Sequence, residues 1–133
     1  EVKNAIDIPV FGNGDICQGE RALDVLKKGY CDAVMIGRCA IDNPYIFKKV
    51  LHYYQNEENL RDQSATEKIN DLFTYVRLAK IHGLTNFSNI KNQAQYFSKG
   101  LYDSTTLREK LNNCSTITEL KKILLDYLKK FNA

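Results

Sequence analysis

The 133 residues are 44% hydrophobic and 26% charged, with a formal net charge of +3, an ordinary balance for a soluble globular chain. No apolar run reaches the roughly 18 residues needed to cross a bilayer, and the opening Glu1-Val2-Lys3-Asn4 has neither an initiator Met nor the regions of a signal peptide. That opening reads as a cut into a longer polypeptide. The four cysteines, Cys17, Cys31, Cys39 and Cys114, form no CxxC pair, and with only His52 and His82 beside them no metal-ligand spacing arises. They read as reduced thiols of an intracellular, cytoplasmic protein with no metal and no membrane partner.

In chain order, Ile8-Pro9-Val10-Phe11-Gly12 fits a short buried parallel strand, with Pro9 tolerable near its start. Gly19 to Lys28 reads as a helix, with Ala22, Leu23 and Leu26 on one face and Gly29 just past its end. Ala33-Val34-Met35-Ile36 is a second continuous apolar run suited to a strand covered on both faces. Asn43-Pro44 predicts a helix N-cap and first position, followed by Ile46, Phe47, Val50, Leu51 and Tyr54 at helical spacing. Residues 6–55 therefore read β-α-β-α.

The polar, acidic stretch from Gln55 to Gln63 reads as a linker. Beyond it everything is helical in pattern. Ser64 and Glu67 form a capping box ahead of Ile69, Leu72, Phe73 and Val76, and Gly83 stops that helix. Phe87, Ile90, Ala94 and Phe97 mark a second helix ending by Gly100. Asp103 or Thr106 caps a third with Leu107 and Leu111. Thr116 and Glu119 form another capping box, leading into Leu120, Ile123, Leu124, Tyr127, Leu128 and Phe131. Four such helices can bury one core as a small bundle.

Charge separates the two parts. Residues 1–62 carry 8 Lys+Arg against 10 Asp+Glu, net −2, and residues 63–133 carry 11 against 6, net +5. The basic second part fits either a polyanion partner or a solvated helical surface. The first part poses a physical problem, because two buried parallel strands with one crossover leave unpaired edges and uncovered apolar faces. A stable fold there calls for further strands from upstream or from another chain.

Two glycine motifs, Asn13-Gly14-Asp15 and Gly37-Arg38, each follow a strand-like run, and 22 residues separate Asp15 from Gly37. One βα unit plus a strand fills that interval, so both loops should open on the same rim of a parallel sheet. There, backbone N–H groups stand unobstructed and an anion can sit. Gly12, Gly14 and Gly37 suit close approach of backbone to a ligand, and Arg38 adds a guanidinium able to neutralise a phosphate.

Residues 8–16, residues 32–38 and Asn43-Pro44-Tyr45-Ile46-Phe47 together resemble the C-terminal signature of flavin-dependent tRNA-dihydrouridine synthases. The stretch from Lys91 to Gly100, with Leu107-Arg108 and the last capped helix, is similar to that family's helical RNA-binding domain. The resemblance implies an α/β fold: residues 1–62 as the last two βα units of a (β/α)8 TIM barrel holding FMN, and residues 63–133 as a helical, tRNA-binding bundle. It places Asn13, Gly14, Asp15, Gly37 and Arg38 around the FMN phosphate; like-charge repulsion makes the Asp15 carboxylate an orienter rather than a phosphate contact. It further implies NAD(P)H as reductant, uridine in tRNA as substrate, and a proton-donating cysteine on an upstream barrel loop, so that this chain holds no catalytic residue. Arg77, Lys91, Lys99 and Arg108 become the candidate RNA contacts, with Tyr96 as a possible stacking platform beside a core Phe97. Two other readings stay open: a non-catalytic RNA-binding module, and a different FMN barrel oxidoreductase acting on a small molecule.

Overall fold

Two short strands, β1 (Phe11–Asn13) and β2 (Ala33–Met35), pair in parallel with Phe11 opposite Ala33, Gly12 opposite Val34 and Asn13 opposite Met35. They belong to a computed structural model that describes residues 2–130. The chain divides after Asp62 into two units, each with its own packing. Among the described residues the sheet has these two strands only.

In the first unit, α1 (Val2–Ala5) is a single helical turn that the sequence pattern did not announce. β1 starts later than the apolar run, because Pro9 has no N–H to donate and the Val10 N–H bonds the Asp32 carboxylate at 2.7 Å. The Val10 carbonyl in turn accepts from Asp32 N–H at 2.8 Å. The helix α2 (Gly19–Lys27) ends at Lys28, and Gly29 follows at φ 67°, the left-handed conformation expected there.

α3 (Arg38–Asp42) and α4 (Ile46–Asn56) follow β2. Asn43 is not the N-cap of α4: the intervening α3 makes it a linking residue, whose carbonyl accepts the Ile46 N–H at 3.0 Å, and Tyr45 takes the N-cap position without a side-chain cap. α4 packs against α2 so closely that a Cβ on Gly19 would lie 2.4 Å from Tyr53 Cβ.

Of the apolar residues predicted for α4, Ile46 is buried, whereas Phe47, Leu51 and Tyr54 are exposed, as are Ile8, Phe11 and Met35 at the strands. The segment read as a linker is tied back to its own unit. Glu57, at φ 56°, ends α4 and pairs with Lys27, Asn59 donates to Glu20 at 2.7 Å, and Lys49 pairs with Asp62.

The second unit is a four-helix bundle of α5 (Ala65–Ile81), α6 (Phe87–Phe97), α7 (Ser104–Asn113) and α8 (Ile117–Lys129). Each helix packs on the next, and α8 closes onto α5 and α6. Ile69, Leu72, Ile90, Ala94, Leu111, Leu120 and Leu124 form its dry centre, the residues that helical periodicity selects. Ser64 and Glu67 make the reciprocal capping box. At α8 only half of the predicted box forms: Thr116 accepts from Glu119 N–H at 3.2 Å, but the Glu119 carboxylate takes the Ser115 N–H at 2.8 Å instead of its own cap residue's. Asp103 occupies the α7 cap position at φ 48°, and its carboxylate accepts the Thr106 hydroxyl at 2.7 Å rather than a helix N–H. Phe131 lies outside the described residues.

Candidate phosphate-binding rim

Parallel pairing with an offset of 22 residues (Phe11 with Ala33) carries both glycine loops to the same edge of the sheet. There, Asn13, Gly14, Asp15, Ile16, Gly37, Arg38 and Cys39 line one cavity of about 300 Å³. All five residues predicted for phosphate binding are among them. A Cβ built on Gly14 or Gly37 meets nothing within 4 Å, so both glycines leave open space for a ligand. Gly12 does something else: its missing Cβ would sit 2.7 Å from Cys31 Sγ, so it serves internal packing beneath the rim.

The cavity carries one cation and one anion. The Arg38 guanidinium donates to the Asp15 carboxylate, and both side chains are largely exposed. Asp15 sits at φ 48°, a left-handed conformation that a short polar side chain tolerates better than most. An arginine held by a neighbouring carboxylate is aimed without being consumed, since a guanidinium offers five N–H donors. The arrangement can accept a phosphate at Arg38 and the open glycine backbone, while Asp15, also on the cavity lining, holds the guanidinium. The donor set fits the phosphate of a cofactor such as FMN.

Cys17 and Cys39 correct the expectation that all four cysteines are reduced. They are joined as a disulfide, with Cα atoms 5.4 Å apart, inside the usual range of about 4.4–6.8 Å. Their sequence separation of 22 repeats the strand offset, so the parallel register that aligns the two loops also brings these sulfurs together. Cys31 and Cys114 are buried and free. Burial pushes the Cys114 thiol up, with the Lys91 ammonium partly opposing it. Its S–H donates to the Leu111 carbonyl at 3.0 Å.

The sequence model of the dihydrouridine synthase (Dus) family matches residues 1–132. The chain belongs to the dihydrouridine synthase family. A tRNA-dihydrouridine synthase B of Pasteurella multocida is 28% identical over 126 residues, covering 93% of this chain and 37% of that protein. The Vibrio parahaemolyticus protein of the same name is 44% identical over 68 residues, 51% of this chain and 21% of its own length. The Pseudomonas aeruginosa one is 44% identical over 59 residues, 44% of this chain and 18% of its own. The chain thus spans little more than a third of the Pasteurella relative.

The residues predicted to touch RNA are spread over three helices of the second unit. Arg77 is exposed on α5. The Lys91 ammonium is engaged at the end of α7, donating to the carbonyls of Asn112 at 2.7 Å and Cys114 at 3.1 Å. Arg108 lies on the same α6–α7 seam: its Nε donates to the Ser104 carbonyl at 3.3 Å, and its own carbonyl accepts from Gln95. Lys99, just beyond α6, stands over the Tyr96 ring at 4.7 Å from its centroid, while Lys68 of α5 donates to the Lys99 carbonyl at 2.6 Å. Tyr96 is exposed and Phe97 is in the core, as expected. No described helix is long and apolar enough to cross a membrane, and no metal-ligating cluster occurs among the described residues.

Proposed function

We propose that this chain is the C-terminal portion of a tRNA-dihydrouridine synthase: residues 1–62 complete an FMN-binding (β/α)8 barrel and residues 63–133 form a helical tRNA-binding domain. The convergence of Asn13, Gly14, Asp15, Gly37 and Arg38 on one cavity carries the cofactor half of this reading. Such a site at the ends of adjacent parallel strands is where barrels of this class hold phosphate. Exposed Phe11, Met35, Phe47 and Leu51 support the barrel, since parallel strands and their covering helices are normally buried on both faces. The relatives' name, tRNA-dihydrouridine synthase B, supports uridine in tRNA as the substrate.

In this reading Arg38 and the open backbone at Gly14 and Gly37 hold the FMN phosphate, and Asp15 keeps the guanidinium aimed. Bound FMN supplies hydride for reduction of the uridine C5–C6 double bond, with NAD(P)H as the source of electrons and a cysteine outside this chain as the proton donor. Arg77, Lys91, Lys99 and Arg108 contribute to tRNA phosphate binding, and the net +5 of residues 63–133 (11 basic, 6 acidic) supports it.

The test has two arms on the full-length enzyme: flavin content after purification, and tRNA binding as a function of salt. Bound flavin together with affinity that falls steeply with salt supports the assignment. Flavin without tRNA affinity at low salt points to a small-molecule oxidoreductase, and tRNA affinity without flavin points to a non-catalytic RNA-binding module.

A further inference from the structure

Nothing in the phosphate-rim reading uses Cys17 and Cys39, yet they join the two loops that make the rim. Cys17 follows the Asn13-Gly14-Asp15 loop on the surface, and half-buried Cys39 lines the cavity directly after Arg38. The covalent link joins residues 22 apart in sequence, and the segment it closes contains all of α2 and β2. The other two cysteines are built differently. Cys31 is packed under Gly12, Cys114 is deep in the helical bundle, and neither has a cysteine partner. One pair of the four is therefore positioned for redox chemistry and the other two are core residues.

We propose that Cys17 and Cys39 are a reversible redox-modification site, a dithiol that reacts with low-molecular-weight disulfides and in its oxidised form clamps the two loops of the phosphate rim together. The chemistry balances by two exchanges. The exposed Cys17 thiolate attacks a disulfide RSSR, forming Cys17–S–SR and releasing RS⁻. Cys39 then loses its proton to solvent and attacks the Cys17 sulfur, forming the protein disulfide and expelling the second RS⁻. The protein dithiol gives up two electrons, and RSSR becomes two thiols. Reduction by excess thiol runs the same steps backwards.

The link acts on the cavity through its position. With the bridge intact, the two loops are pinned together at Cys17 and Cys39, three and two residues past Gly14 and Gly37, so their separation is restricted and an anion meets a more nearly preformed cradle. With it reduced, ordering the loops is charged against binding. The effect on the cofactor rests on the function proposed above; the clamp itself does not.

The full-length protein, first reduced, is treated with glutathione disulfide, alkylated, digested and mapped by mass spectrometry. The expected product links the Cys17 and Cys39 peptides, with Cys31 and Cys114 alkylated only after unfolding. Performing the oxidation in guanidinium is expected to abolish that preference. A glutathione adduct that persists on Cys17 in the unaltered chain, or pairing that draws in Cys31 or Cys114 without denaturant, overturns the site. Cys39→Ser should instead leave Cys17 as a lasting glutathione adduct. Amide hydrogen exchange at residues 13–16 and 37–39 reads the clamp without any cofactor. It should be several-fold slower in the oxidised chain, and equal rates overturn the clamp. FMN affinity should be several-fold tighter for the oxidised form of the full-length protein. A protein that bridges and clamps but binds no FMN in either redox state rejects the flavin assignment and leaves the redox site standing.

Discussion

Arg38 donates to Asp15 across the mouth of one cavity, although 23 residues separate them. Both side chains are solvent-exposed, so the pair contributes at most about 1 kcal/mol to stability. Its consequence is directional: Asp15 of one glycine loop holds the guanidinium of Arg38 from the other, on the lining of the shared cavity. Arg38→Ala should therefore leave the fold intact and weaken FMN by about tenfold, or roughly 1.4 kcal/mol. Riboflavin, which lacks the phosphate, is the control. Titration of both flavins should show the loss for FMN alone, and an equal loss for riboflavin would reject a phosphate role.

The four glycines near this rim divide into two kinds that stability and binding measurements separate. Gly14→Ala and Gly37→Ala meet no neighbouring atom, so unfolding midpoints should move by less than about 0.5 kcal/mol while flavin retention falls as the new methyl narrows the approach. Gly12→Ala and Gly19→Ala would press a Cβ against Cys31 Sγ at 2.7 Å and Tyr53 Cβ at 2.4 Å. They should cost about 1–3 kcal/mol from overpacking, read by chemical denaturation.

Lys91 and Arg77 should respond differently although both are basic residues of the second unit. Lys91→Met keeps the aliphatic stem but strips the ammonium from the Asn112 and Cys114 carbonyls, and should destabilise the bundle by about 1–2 kcal/mol. Arg77→Ala, on the exposed side of α5, should be neutral within about 0.5 kcal/mol and lower the slope of log affinity against log salt for tRNA by about 1. Loss of tRNA affinity without any change in that slope would remove Arg77 from the phosphate contacts.

Acid should loosen the entry to β1. The Lys3 ammonium, together with the Val10 N–H, holds the Asp32 carboxyl below the usual carboxylate range. A carboxyl with a depressed folded pKa binds protons more weakly folded than unfolded. Its contribution is complete above the ordinary carboxylate pKa of about 4 and is lost as pH falls through the lower folded value. Hydrogen exchange at the Val10 amide should accelerate across that interval beyond its intrinsic pH dependence, and Asp32→Asn should flatten the response. An unchanged profile in the variant would show that Asp32 does not control this junction.

The helical unit was the more legible part of the sequence, because local rules suffice for it. Apolar spacing at 3.6 residues selected Ile69, Leu72, Ile90, Ala94, Leu111, Leu120 and Leu124, and these form the observed core. The capping at Ser64 likewise needs only residues within one helical turn. The same rules failed at Asn43, where the unannounced α3 took up the chain just ahead of it. They also failed on the acidic stretch after α4, whose ties to Lys27, Glu20 and Lys49 depend on residues distant in sequence.

By itself, the sequence determined two parallel strands, the loops that follow them, the residue types able to meet a phosphate and a bundle of four amphipathic helices. Pattern and turn chemistry act over a few residues, so these were readable. Tertiary structure decided which side chains meet. Pairing Phe11 with Ala33 set an offset of 22, and that register placed Arg38 beside Asp15 and Cys17 beside Cys39. The same spacing was visible in the chain, but without the register between the strands it carried no pairing. Burial and internal bonding likewise assigned Gly12 to packing and engaged the Lys91 ammonium at the end of α7, because both outcomes depend on neighbours that only folding supplies.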